Sequence, residues 1–121
     1  MAERVNIVIN GAAPVTGSMS GGDSVHLRYF TEDGEYLVTA AANALTVRFK
    51  GETAYELYLD GGGASRLTLT LCGAGKTTAA VELISYALKR ESNGVFISAD
   101  YSLEGENRTI VMLITREDTL A

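Results

Sequence analysis

Leu67, Leu69 and Leu71 alternate with Arg66, Thr68 and Thr70 across Ser65 to Cys72, and this two-residue period constrains the fold more than any other feature of the chain. Successive side chains of a strand point to opposite faces, so such a segment suits a strand with one face on a core and the other in water. The same period recurs in Val5-Ile7-Ile9, Val25-Leu27-Tyr29, Leu45-Val47-Phe49, Tyr55-Leu57-Leu59, Val95-Ile97-Ala99-Tyr101 and Ile110-Met112-Ile114, with a shorter run at Tyr36 to Thr39. Between these runs stand Glu32-Asp33-Gly34, Lys50-Gly51-Glu52, Asp60 to Gly63, Ser92-Asn93-Gly94 and Gly105-Glu106-Asn107, which supply glycine or asparagine where tight turns need positive φ. Neighbouring strands are therefore expected to be antiparallel. Turn signals at spacings of about 8 to 12 residues point to a sandwich or barrel, and a meander that closes on itself removes reactive sheet edges. The expectation is an all-β domain, a small closed barrel with at most one short helix.

With 121 residues the chain is one domain, 1–121, with enough length for a single core. Its 46% apolar and 21% charged residues are ordinary for a globular protein. A net charge of −5, with no run of Lys and Arg, argues against nucleic acid and anionic membranes as partners. The single cysteine, Cys72, excludes an intramolecular disulfide and a cysteine-based zinc site, and it suits a reducing, cytoplasmic setting. Met1 to Asn10 has no stretch apolar enough for a signal peptide, and no segment approaches the roughly 20 apolar residues of a membrane-spanning helix.

Two stretches depart from the alternation. Gly11 to Gly22 holds Pro14 and four glycines with little to pack, and is expected to be a flexible loop without site chemistry. Thr77 to Arg90 places Ala80, Val81, Ile84, Ala87 and Leu88 at helical spacing, with Lys89 and Arg90 where a helix C-terminus favours cations. Read as a strand, the same stretch puts Ala79, Val81 and Leu83 inward and breaks phase at Ile84-Ser85, which demands a bulge. The residues alone leave both readings open.

Cys72-Gly73-Ala74-Gly75-Lys76-Thr77-Thr78 resembles the phosphate-binding loop of P-loop nucleotide hydrolases, in which backbone amides cradle phosphates, a lysine reaches the outer ones and a hydroxyl holds magnesium. Gly94 to Asp100 would then be the next strand of a RecA-like ATP-binding domain, with Lys76 on phosphate, Thr77 on magnesium and Asp100 ordering the ion. Against this alternative, Thr70 stands where the motif requires its first glycine, and the hairpin pattern cannot supply a parallel sheet. A Gly-Ala-Gly-Lys segment is equally a plain hairpin turn with a solvated lysine.

From about Asp23 onward the order of signals resembles the YwiB-like family of uncharacterised bacterial proteins. The likeness rests on Tyr29-Phe30-Thr31-Glu32, Leu45 to Glu52, Leu57-Tyr58-Leu59-Asp60-Gly61-Gly62, Ala80 to Leu88 and Gly94 to Glu104. It implies a calycin-type, lipocalin-like barrel, with Gly73 or Gly75 as a turn glycine and Ala79 to Leu88 mostly strand. The family's usual arginine two residues before Gly51 is Phe49 here, and the N-terminal part is shorter, which implies a less closed barrel. None of the matching motifs is catalytic, so the resemblance speaks to fold.

Other candidate chemistry has simpler explanations. The lone histidine, His26, falls on the polar phase beside Val25 and Leu27, where it reads as a surface residue, not a catalytic base. Cys72 has only Lys76 as a nearby cation and reads as an ordinary strand-end thiol. Glu32, Asp33 and Glu35 lack calcium-loop spacing and read as a solvated hairpin tip. Tyr29, Tyr36, Phe49, Tyr55, Tyr58 and Tyr101 are strand aromatics that either fill the core or line a cavity for one small apolar ligand. The sequence thus assigns no catalytic, cofactor-binding or metal-binding residue and no cofactor. It supports a non-enzymatic barrel that binds a small molecule or a partner protein, or that self-associates through edge strands left by incomplete closure.

Overall fold

The computed structural model describes residues 2–71 and 75–117. They form ten strands: β1 (Glu3–Ile9), β2 (Val15–Ser20), β3 (Val25–Thr31), β4 (Gly34–Ala40), β5 (Ala44–Gly51), β6 (Ala54–Asp60), β7 (Ser65–Leu71), β8 (Gly75–Glu91), β9 (Gly94–Leu103) and β10 (Glu106–Arg116). Each strand pairs antiparallel with its neighbours in sequence, and β1 also pairs with β10, with Ile7 opposite Ile114, to close the barrel. There is no helix among the described residues. The all-β expectation therefore holds, and the barrel is closed where the resemblance had implied a less closed one. Closure gives every strand a partner on both sides, so the open edge on which strand-to-strand self-association would depend is not present among the described residues.

This topology corrects one expectation and decides one reading that the residues alone left open, in favour of the strand that the resemblance implied. Gly11 to Gly22 contains strand β2, which pairs with β1 through Val15–Met19 and with β3 through Gly17–Ser20. Its backbone ladder, not its side chains, holds it in place, since Met19 is its one fully buried apolar residue. Thr77 to Arg90 lies in β8, so the helical spacing is not realised. The ladder with β9 shifts between Leu83 and Ser85, which is the bulge that the strand reading required. Inward positions run Val81, Leu83 before it and Tyr86, Leu88 after it.

The inner face is filled by the alternating apolar residues read from the sequence. Val5, Ile7, Ala40, Leu45, Leu59, Ile97 and Ala99 are wholly inaccessible, and Val25, Leu27, Val38 and Ile114 nearly so. The outer face carries the complementary polar set, including the ion pairs Arg28–Glu35 and Arg48–Glu56. One end of the barrel is tied shut by long side chains from β8. Tyr86 donates its hydroxyl to the carbonyl of Ala41 in the β4–β5 turn at 2.6 Å, and Arg90 donates to the carbonyl of Asp23 in the β2–β3 turn at 3.1 Å. In the β6–β7 turn of the same end, Asp60 accepts the Tyr58 hydroxyl at 2.8 Å and the Gly62 amide at 2.9 Å, holding its carboxyl below the usual carboxylate range. The Gly62 amide is the larger influence and Tyr58 the second.

Candidate functional site

The other end of the barrel is hollow. A cavity of about 400 Å³ lies between the last residues of β1, β3, β7 and β9 and the first of β4, β6 and β10. Its walls are Leu57, Leu67, Leu69, Leu103, Ile110 and Met112 with four tyrosines, Tyr29, Tyr36, Tyr55 and Tyr101, and its polar groups are completed by Asn10, Thr31 and Arg108. This volume falls in the lower part of the range found for small-molecule sites, and a mostly apolar wall with a few convergent polar groups is their usual composition.

Strand register explains the aromatic wall. Tyr29 pairs with Tyr36, Tyr36 with Phe49, and Phe49 with Tyr55, so four rings from β3 to β6 form one cross-strand row on the inner face. Their centroids are separated by 4.8, 4.7 and 5.4 Å, with the first pair stacked at 8° and the others tilted. Such neighbours each add a fraction of a kcal/mol to about 1.5 kcal/mol beyond area burial and hold the rings in fixed rotamers. In the same register Tyr29 pairs with Gly17 of β2, where the backbones approach too closely for a side chain.

Burial dominates the acid–base behaviour of these phenols. The Tyr29 hydroxyl is pushed far above its ordinary range by desolvation and then by its neighbours Tyr36 and Tyr55. Tyr55 is pushed up to about 12, by desolvation first and then by Tyr36. Tyr101 is raised by desolvation and pulled back by the Arg108 charge. All three therefore remain protonated hydrogen-bond donors throughout the neutral range.

Arg108 sits at the mouth of the cavity, directly opposite Tyr101 in the β9–β10 register. It belongs to the inward phase of β10 that continues as Ile110, Met112 and Ile114. Its guanidinium donates to Glu106 at 3.2 Å, and both side chains are well exposed. Asn10, at φ 50°, closes the β1–β2 turn at the same mouth, with its Oδ1 accepting the Val111 amide at 2.8 Å.

The residues singled out by sequence fall in different places. Tyr29, Tyr36, Tyr55 and Tyr101 meet at the cavity and Phe49 completes their stack, whereas Tyr58 points outward under Arg66, whose guanidinium lies 5.1 Å from the ring centre. His26 is exposed on β3, its Nδ1 3.3 Å from the Thr39 hydroxyl. Glu32 and Asp33 are exposed at the β3–β4 tip, and Glu35 is paired with Arg28.

The P-loop alternative does not fit this architecture. Cys72, Gly73 and Ala74 lie outside the described residues, while Gly75, Lys76 and Thr77 begin β8 as exposed strand residues paired with Leu71, Thr70 and Leu69. No helix follows them among the described residues to present an N-terminus to phosphate. Asp100 is engaged on the outer face, accepting Thr109 at 2.7 Å and Ser85 at 2.9 Å, which together hold its carboxyl below the usual range.

Arg108, Thr31 and Asn10 are the lining groups that the sequence reading missed. Extending the Ile110-Met112-Ile114 alternation two residues back reaches Arg108, and extending Val25-Leu27-Tyr29 two forward reaches Thr31.

Comparison with known proteins bears on the fold. No family model matches the chain, and no curated protein sequence matches it. Among solved structures, the YwiB protein from Bacillus subtilis superposes with a TM-score of 0.71 at 15% identity, over 98% of this chain and 91% of that one. The YwiB-like resemblance read from the sequence is thus borne out in the fold.

Proposed function

We propose that this barrel is a binding protein, acting without catalysis, that takes a small, largely apolar molecule into the hollow end. The observation that carries the reading is the cavity of about 400 Å³, walled by leucines, isoleucine and methionine and by four tyrosines. A preformed apolar hollow of this size loses dispersion contacts while empty and regains them with a ligand of matching shape. Its calycin-like character belongs to the same reading, since barrels of this kind have interiors wide enough for one small ligand. An apolar inner face and a charged outer face, with Arg48, Glu56 and Arg66 outside, are the reverse of a transmembrane barrel and suit a protein dissolved in water, here a reducing cytoplasm.

The test is titration with phenylnaphthylamine, an uncharged probe that fluoresces in apolar surroundings. Saturable binding of one probe per chain is expected, together with its loss in Leu67→Trp, which projects an indole into the cavity from β7. Absence of saturable binding, or wild-type binding by a correctly folded Leu67→Trp protein, would refute the proposal.

A further inference from the structure

Resting on the cavity reading, we infer that the ligand is a carboxylate-headed apolar molecule, its acid group held at the mouth by Arg108 and its body lying against the tyrosine and leucine walls. Arg108 is the only ionised side chain lining the cavity among the described residues, and no carboxylate lines it. Strand alternation would ordinarily place an apolar residue at this inward position, as it does at Ile110, Met112 and Ile114. An arginine there brings a charge to the edge of an apolar hollow, an arrangement that becomes favourable when a matching anion is present.

The geometry of the existing contacts leaves that anion room. Glu106 receives one N–H from Arg108 through Nη2 at 3.2 Å and is 74% exposed, so the pair is largely solvated and only weakly competitive. The rest of the planar guanidinium fork matches the two oxygens of a carboxylate. Tyr101 lies directly across the strand pair from Arg108, and both line the cavity, so a hydroxyl and a cation are offered by neighbouring positions of its wall. The exposed carboxylates at the hairpin tips, Glu32, Asp33 and Glu104, supply the opposing field. They are solvated and screened by salt, whereas Arg108 faces the space a ligand would occupy.

The experiment displaces phenylnaphthylamine from the full chain at neutral pH with decanoate, decanol and decyltrimethylammonium, which share an apolar tail and differ in head charge. Decanoate is expected to displace the probe at concentrations at least tenfold below those of decanol, with the cation weakest. In Arg108→Gln the ratio of decanoate to decanol potency, read against the probe in the same variant, should fall to about one. Equal potency of decanoate and decanol, preference for the cation, or an unchanged decanoate preference in Arg108→Gln would overturn the head-group assignment and leave the cavity intact. Failure of the probe itself to bind the wild type would strike the cavity reading, and this inference with it.

Discussion

Gly17 offers the most direct test of strand β2, because the two readings of its segment predict opposite signs for one substitution. In the barrel, a Cβ added at Gly17 would lie 2.6 Å from the Arg28 carbonyl oxygen, 2.9 Å from the Tyr29 Cβ and 3.0 Å from the Ile7 Cδ1. Two of these three contacts are closer than real side chains tolerate, and the nearest is backbone, which cannot rotate away. Overpacking of this kind costs about 1–3 kcal/mol, against a gain of roughly 0.5–1 kcal/mol from replacing glycine in a strand. Gly17→Ala should therefore lose roughly 1 kcal/mol net, in a range up to about 2.5 kcal/mol. Gly21, in the β2–β3 turn, has nothing within 4 Å of its added Cβ and no positive φ. Gly21→Ala should be neutral or stabilising by roughly 0.4–1 kcal/mol through the unfolded chain alone. Urea unfolding followed by far-ultraviolet circular dichroism reads both, with an m-value of about 1–3 kcal/mol per molar converting the expected loss into a midpoint lower by roughly 1 M. If 11–22 were a flexible loop, both substitutions would behave alike. Equal midpoints for Gly17→Ala and Gly21→Ala would refute the placement of β2 against Tyr29.

Lys76→Ala should change stability by less than about 0.5 kcal/mol, as for an exposed strand residue, and Mg-ATP should leave the melting temperature of wild type and variant alike. A wild-type rise with Mg-ATP that the variant lacks would restore the nucleotide reading. Tyr55 is raised from an ordinary 10.0 to about 12 by burial and then Tyr36, so its neutral form is favoured by folding. Its contribution to stability is full below about pH 10 and is lost as pH rises toward 12, and urea midpoints for Tyr55→Phe should fall less steeply across that window than those of wild type. Parallel declines would show that Tyr55 is not desolvated.

Where sequence reasoning succeeded and where it failed follows from what each strand buries. β7 and β9 are legible because each alternates large apolar residues with polar ones without interruption, as in Leu67-Thr68-Leu69 and Val95 to Ala99. β8 is ambiguous for a physical reason. Its bulge moves the inward phase from Val81 and Leu83 to Tyr86 and Leu88, and that three-residue step at Leu83–Tyr86 imitates helical periodicity. β2 is nearly silent, since Val-Thr-Gly-Ser-Met-Ser contributes only Met19 as a fully buried apolar side chain and its glycine is required by the close approach of the Arg28 backbone carbonyl and the Tyr29 Cβ. Arg108 escaped because a search for apolar alternation stops where the inner face meets water.

The overlooked strand also bears on the choice between filled core and cavity that the sequence left open. Eight alternating runs and one ambiguous stretch suggest a barrel near the size at which side chains fill the interior, and in so narrow a barrel the tyrosines are needed as core. Adding β2 brings the count to ten strands, and barrel diameter grows with strand number. The aromatic row on β3 to β6 then faces Leu103, Ile110 and Met112 across a space that aliphatic side chains do not close. At the opposite end the same width is closed by Tyr86 and Arg90, which reach from β8 to the turns. At the hollow end the corresponding β10 position holds Arg108, whose charge keeps it at the mouth instead of plugging the interior. The interior volume at that end is thus a consequence of strand number combined with a single charged residue, and filling it by substitution should stabilise the barrel while abolishing probe binding.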